Sequence, residues 1–364
     1  MLNNVSRRGF LAGSASLTAL GATGLAAPAI AQGAMTPVKF TLPFVAQGAT
    51  AFAFVARERG FFRARGLDVD IALGTGSPPA AQAIAAGQFD IGLVSAAATI
   101  QQAARGLSLT AVGTMMYDAT MAIAVPADSP IRTPKDLEGK RLGANPRGLD
   151  FAFWPAYARL ANINTTGITV QQLDPNVLER TLSQRQVDAV TCVAASSLPT
   201  FQSLSLPVRF MMWKDAGLNF YHNTVVTRPD VVAQRPQLVQ GVVDALGEAM
   251  ALTLRDPDAA LEAFVRQRPE IGMSDQTRGS ARLGQGLMGV TVAQEEAIRN
   301  GIGFADMAKV DKMIDTVMEF SVQDGRRPVT DQLYTNRFAG NIKLTAAEWE
   351  AVRVRKAPFA QFLA

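Results

Sequence analysis

Cysteine and histidine are almost absent, since Cys192 and His222 are the only ones among 364 residues. One cysteine excludes an internal disulfide, and one cysteine with one histidine argues against a zinc cluster. The formal net charge is only +4 and no Lys/Arg block stands out, so nucleic-acid binding has no support. After the first thirty or so residues, no apolar run approaches the roughly 18 residues of a membrane span. We expect a soluble mature protein without a metal or cofactor.

The first residues have the pattern of an export signal. Residues 6–11 (Ser-Arg-Arg-Gly-Phe-Leu) contain a twin arginine, an uncharged stretch rich in Ala, Gly and Leu follows, and Pro28–Gln32 supplies a small-residue cleavage site. The pattern predicts a Tat-type signal peptide at 1–31, cleaved after Ala31. The alternative is a structural helix over 10–27. The remaining residues, 32–364, suit two lobes better than one compact domain.

The stretch Gly74–Ser95 has the pattern of a strand end, a helix, a second strand and a second helix start. Ser77 is a suitable N-cap with a proline after it, and Gly87 is a typical helix stop. Ser95 follows the buried strand and caps the next helix. Helix starts at the carboxyl ends of strands are where α/β sheets bind ligands, and their amides attract negative charge. The alternative is two ordinary turns whose serines only cap.

A strand–helix repeat occurs twice, over Val38–Val125 and Arg141–Thr227, and the rest of the chain is mostly helical. This order predicts an α/β protein of two lobes, with the helical tail packed on lobe 1. Short β-rich crossings at Met121–Pro126 and Asn223–Thr227 suit a hinge. The predicted lobe boundaries are 32–122 with 228–364 for lobe 1 and 123–227 for lobe 2. The predicted tail helices are about Pro236–Leu254, Asp258–Arg266, Val292–Asn300, Val310–Gln323 and Ala346–Arg353.

Several segments, in this order, resemble the periplasmic binding proteins of nitrate, sulfonate and thiamine-precursor (pyrimidine) ABC importers. They are the export signal, Phe44–Phe62, Gly87–Gly92, Thr133–Gly143 and Leu333–Asn336. The resemblance implies a type II periplasmic-binding fold and a periplasmic monomer. It also implies that a small solute is trapped between the lobes and passed to a membrane permease and its ATPase.

By the same resemblance, the ligand-binding residues lie on loops that face the cleft. Lobe 1 supplies three such loops, lobe 2 supplies two, and the residues just before the two crossings complete the set. The candidates are Gln47, Gly48, Thr50, Thr75, Gly76, Ser77, Ser95, Ala96, Asn145, Arg147, Gly148, Asp150, Phe151, Cys192, Tyr117, Asp118, Tyr221 and His222.

The candidate residues leave the ligand open between two classes. Arg147 suits a carboxylate, sulfonate or phosphate, unless it forms a salt bridge with Asp150. Asp118 and Asp150 repel anions and suit an amine or the N–H groups of a heterocycle. Aromatic side chains at Tyr117, Phe151, Trp154 and Tyr221 could stack on a flat ring, although Trp154 also suits a core position. A sulfonate or carboxylate and a pyrimidine-like heterocycle are both consistent with this inventory.

Two other functions are compatible with the sequence. Cys192 and His222 could act as nucleophile and base in an enzyme related to pyrimidine or thiamine-precursor metabolism. A buried cysteine in a strand is the commoner case, and the sequence shows no third group to orient the histidine. The third function is a ligand-sensing module for a membrane receptor, which would share the cleft and differ only in its partner.

Overall fold

Ten strands form two five-stranded sheets in the part of the chain that the computed structural model describes, residues 35–322 and 324–363. The predicted signal peptide lies outside these residues. From Met35 onward the chain forms one compact unit, and no described helix has the length and apolar character needed to cross a membrane. The strands are β1 Thr36–Thr41, β2 Leu67–Ala72, β3 Ile91–Ser95, β4 Thr110–Thr114, β5 Met121–Pro126, β6 Arg141–Ala144, β7 Thr169–Gln172, β8 Ala189–Val193, β9 Val208–Met212 and β10 Asn223–Thr227.

Helices cover the sheets and make up most of the tail. The apolar helix Ala51–Glu58 is buried against tail helices, whereas Met307–Phe320 buries one face, as its three-and-four spacing predicts. The helices are α1 Ala51–Glu58, α2 Ser77–Ala85, α3 Ala96–Ala104, α4 Leu149–Leu160, α5 Leu178–Ser183, α6 Ala194–Ser203, α7 Pro229–Gln234, α8 Pro236–Arg255, α9 Pro257–Gln267, α10 Asp275–Val292, α11 Glu295–Asn300, α12 Met307–Phe320, α13 Thr330–Leu333 and α14 Ala346–Ala360.

The two sheets have the same topology. The first has the order β2-β1-β3-β10-β4 and the second the order β7-β6-β8-β5-β9. In each sheet one strand is antiparallel to its neighbours, β10 in the first and β5 in the second. Because β5 comes directly after the strands of the first sheet and β10 after those of the second, the chain crosses between the sheets twice. Both crossings lie where the sequence predicts them.

The lobe membership of β10 differs from the predicted boundaries, which assign this strand to lobe 2. Its residues pair with Ile91–Ser95 on one side and with Thr110–Thr114 on the other, so β10 belongs to the first sheet. The β-branched sequence Thr-Val-Val-Thr predicts a strand but not the sheet that the strand enters.

The helical tail contacts both sheets. As predicted, it covers the first lobe, where α8 and α9 pack on α1. It also reaches the second, because α10 lies against α6, and Leu283, Leu287 and Leu363 join the core around Cys192. The helix α10 is absent from the sequence prediction, which places its first helix after α9 at Val292.

Candidate functional site

Loops from both sheets enclose one cavity of about 430 Å³, which we call the central cavity. The parallel strands of each sheet end at the edge that faces this space, so the loops after β1, β2, β3, β6, β7 and β8 converge there. Most of the predicted ligand-binding residues line it: Gln47, Thr50, Thr75, Gly76, Ser77, Ser95, Asn145, Arg147, Gly148, Asp150, Cys192 and His222. The sequence therefore brings these residues together as expected.

The helix starts on the first-sheet side use their hydrogen-bond donors within the protein. Ser95 Oγ accepts from the amide of Ala98 at 3.3 Å, which confirms Ser95 as an N-cap. The prediction that Ser77 caps α2 is wrong. Its hydroxyl makes no cap, because it accepts from the amide of Ser95 at 3.1 Å. The amide of Ala96 donates to the carbonyl of His222, so Ala96 joins the crossing rather than the cavity lining.

The second-sheet wall is acidic. Asp150 is only 6 % exposed, and its carboxylate accepts from the hydroxyl of Thr191 at 2.5 Å. Burial raises the pKa of Asp150, and burial also raises the pKa of Glu179, at the start of α5, although Ser197 opposes that shift through a hydrogen bond. Burial and these two carboxylates raise the pKa of the Cys192 thiol well above its usual value. This wall presents acceptors and a neutral thiol.

Arg147 is exposed, and it lines both the central cavity and a larger outer cavity of about 980 Å³. No ion pair joins it to Asp150 in the described residues, so the salt bridge considered from the sequence is not formed. The outer cavity also contains Phe151, Phe44 and Phe320. Phe151 thus lies outside the central cavity, on an aromatic-lined approach to it.

Two side chains at the start of β10 leave polar atoms without partners. Burial lowers the pKa of His222 to about 4, which keeps the imidazole neutral at pH 7, and its Nδ1 has no described hydrogen-bond partner. Asn223 is 2 % exposed and donates from Nδ2 to the sulfur of Met116 at 3.3 Å, while its Oδ1 has no described partner. Both residues line the central cavity.

Four other predicted site residues lie away from the central cavity lining. Gly48 packs against α10 and lines a second cavity beside that helix. Asp118 accepts from the amide of Thr120 at 2.7 Å. Tyr117 and Tyr221 are buried edge to face with ring centroids 5.6 Å apart. Asp118 and the two tyrosines hold the crossings in place.

The predicted site omits several lining residues, although they too follow the carboxyl ends of parallel strands, where α/β sheets bind ligands. Asn176 and Glu179 follow β7, and Ser196 and Ser197 follow β8, at the same edge of the second sheet. Gln47 donates from Nε2 to Ser196 Oγ at 3.3 Å, a hydrogen bond that joins loops of the two sheets. Ligands held here would contact both lobes at once.

The Tyr221 hydroxyl ties the second crossing to the tail. It donates to Glu296 at 3.1 Å and accepts from the amide of Asp306 at 3.0 Å.

We expect Tyr221→Phe to lower the free energy of unfolding by roughly 1–2 kcal/mol, because both partners lose a half-buried hydrogen bond. Urea unfolding followed by circular dichroism measures it. Tyr157→Phe is the matched control, since that ring stacks on Trp213 and its hydroxyl makes no hydrogen bond to a described residue. Equal losses of unfolding free energy in Tyr221→Phe and Tyr157→Phe would contradict the stabilising role of the two Tyr221 hydrogen bonds.

Comparisons with known proteins agree with this architecture. A Brucella abortus protein named as a binding protein is 24% identical over 266 residues, covering 71% of this chain and 77% of its own. A Legionella pneumophila protein named 4-amino-5-hydroxymethyl-2-methylpyrimidine phosphate synthase is 21% identical over 229 residues, covering 60% and 69%. The structure of the periplasmic aliphatic sulphonate binding protein SsuA from Escherichia coli superposes with a TM-score of 0.64, at 18% identity, over 83% of this chain and 99% of that one.

The structural likeness confirms the predicted two-lobe periplasmic-binding fold. The relatives carry names of binding proteins, with a synthase among the more distant ones. The family model described as NMT1/THI5 like matches residues 47–260, more than half of the sequence, and includes most of the central cavity. This chain therefore belongs to the NMT1/THI5-like family.

Proposed function

We propose that this protein is the extracytoplasmic solute-binding component of an ABC importer. The observation that carries the proposal is the central cavity. Strand-end loops of both sheets form its wall, so neither lobe encloses it alone. Its volume of about 430 Å³ lies in the range of small-molecule sites. A solute in this position would be released only when the lobes separate about the two crossings.

The cellular setting of the proposal follows from the twin-arginine signal at 1–31. After cleavage at Ala31 the protein would act in the periplasm as a monomer, and would deliver its solute to a membrane permease with an ATPase. The lobes would be divided before β5 and before β10. The solute would be a small organic molecule of one of two classes. One class is a sulfonate or carboxylate, and the other is a pyrimidine-like heterocycle.

The site chemistry favours binding over catalysis. A nucleophilic cysteine needs a thiolate, but burial and nearby carboxylates raise the pKa of Cys192 well above its usual value. His222 is neutral and buried, with a pKa of about 4, and the described contacts give it no carboxylate to orient it. A cysteine–histidine enzyme would need a lowered cysteine pKa and a raised histidine pKa, the opposite of what is found here.

A thermal-shift screen of the mature protein against a library of small polar metabolites tests the proposal. We expect at least one compound to raise the melting temperature, and small-angle scattering with that compound to show a smaller radius of gyration than without it. Turnover of the compound by the purified protein, or its binding without any change in the scattering, would contradict a transport role.

A further inference from the structure

We propose that the central cavity selects ligands through a cationic or multiply N–H-donating group, such as an amidinium or ammonium, that faces Asp150 and Glu179. An anionic group is excluded from the same position. The inference rests on the proposed function and chooses between the ligand classes that it leaves open. It depends on which hydrogen-bonding groups the cavity wall still has available.

Three of the helix starts around the cavity have few donors left for an anion, whereas α4 has no capping side chain but carries the buried carboxyl of Asp150 in its first turn. In α2 the second and third residues are Pro78 and Pro79, which carry no amide hydrogen. In α3 the amides of Ala96 and Ala98 are bonded to His222 and Ser95. In α6 the first two amides donate to the carbonyl and the hydroxyl of Thr120. Helix ends bind anions through free amides, and α2, α3 and α6 offer few of them.

The carboxyls of the wall, by contrast, keep unused acceptor capacity, since Asp150 has a described side-chain donor only in Thr191 and Glu179 only in Ser197. Asp150 and Glu179 line the same cavity, and the pKa of each is raised because burial disfavours the ionised form. Neither carboxylate has a basic partner in the described residues. A cation or an N–H pair from the ligand would supply the missing partner, whereas a sulfonate would be repelled by either carboxyl in its ionised form.

Asn223 gives a second and independent indication of a donor. The residue lines the cavity, its Nδ2 donates to the sulfur of Met116, and its buried atom without a described partner is the acceptor Oδ1. A buried acceptor without a hydrogen bond is unfavourable, and a ligand N–H would satisfy it. Arg147, the one cation among the described lining residues, is exposed at the boundary with the outer cavity, where it could contact a different part of the ligand.

Benzamidine and benzenesulfonate provide a matched pair of probes, since they share a flat ring and differ in the charge of the head group. We expect calorimetry with the mature protein to give benzamidine at least about tenfold tighter binding. Asp150→Asn and Glu179→Gln should each weaken benzamidine by about tenfold or more, because a charged hydrogen bond is lost. Glu295→Gln, an equal charge change on exposed α11, should leave it unaltered.

Three results would overturn the inference. They are tighter binding of benzenesulfonate, no binding of benzamidine, and benzamidine binding that Asp150→Asn and Glu179→Gln leave unchanged while both variants keep the wild-type melting profile. Benzenesulfonate that binds and compacts the protein in scattering would leave the proposed function standing while this inference fails. If no metabolite in the library binds, the proposed function itself fails.

Discussion

Gly48→Ala is expected to lower the free energy of unfolding by about 3 kcal/mol, as overpacking against rigid atoms does. A Cβ at Gly48 would lie 2.0 Å from the carbonyl oxygen of Ala281 and 2.9 Å from the amide nitrogen of Gln285. Both are backbone atoms of α10, so no side-chain rotation relieves the clash. The helix would have to move away from the loop after β1, and α10 also contacts α6 in the second lobe. Urea unfolding of the mature protein measures the change.

Gly279→Ala is the matched control, because it lies in α10 with no atom within 4 Å of an added Cβ. This variant should be more stable than the wild type by up to about 1 kcal/mol, since alanine favours helices more than glycine does. Equal unfolding midpoints for Gly48→Ala and the wild type would show that α10 does not pack on this loop. Gly48 would then return to the list of ligand-contact candidates.

The affinity for benzamidine is expected to fall as the pH is lowered from about 8 to about 5, by at most tenfold per pH unit for each proton released. Burial raises the pKa of Asp150 and of Glu179, so acid protonates both carboxyls at a higher pH than usual. A cation binds their ionised forms and must displace those protons. An anionic ligand would show the opposite slope, with tighter binding in acid.

The other groups that face these carboxyls do not change charge over this range. The Cys192 thiol stays neutral because its pKa is raised, and His222 gains a proton only near pH 4. Calorimetry in buffers of different ionisation heat measures both the affinity and the number of protons released. Glu179→Gln should give a shallower slope than wild type. A flat profile, or affinity that rises in acid, would contradict the acidic wall as the contact surface.

Much of the site was predictable because it follows from local pattern and one topological rule. Strand ends followed by glycine, serine or asparagine locate loops, and parallel strands bring those loops to one edge. Ser95 follows from this rule, and Gln47, Asn145 and Asp150 follow from the family resemblance; all four line the central cavity. The same rule applies to Glu179, which follows β7, although the predicted set contains no residue after that strand.

Other features depend on tertiary contacts that local patterns do not contain. The helix α10 contains Gly279, Gly284, Gly286 and Gly289, which lower its intrinsic helix propensity. Two of these glycines allow close packing. An added Cβ at Gly284 would contact Gly48, and an added Cβ at Gly286 would contact the ring of Phe359. The sheet that β10 enters and the partner of the Ser77 hydroxyl are likewise decided by distant residues. These are the points at which sequence prediction failed.

Native mass spectrometry of gently purified protein tests most directly whether the central cavity holds a solute. Thr75 is exposed and lines the cavity, so Thr75→Trp would fill it at little cost to folding, and Thr166→Trp places the same side chain at an exposed position outside it. The account predicts one small organic molecule per chain in the wild type and in Thr166→Trp, and none in Thr75→Trp. Retention of the molecule by Thr75→Trp would contradict the account.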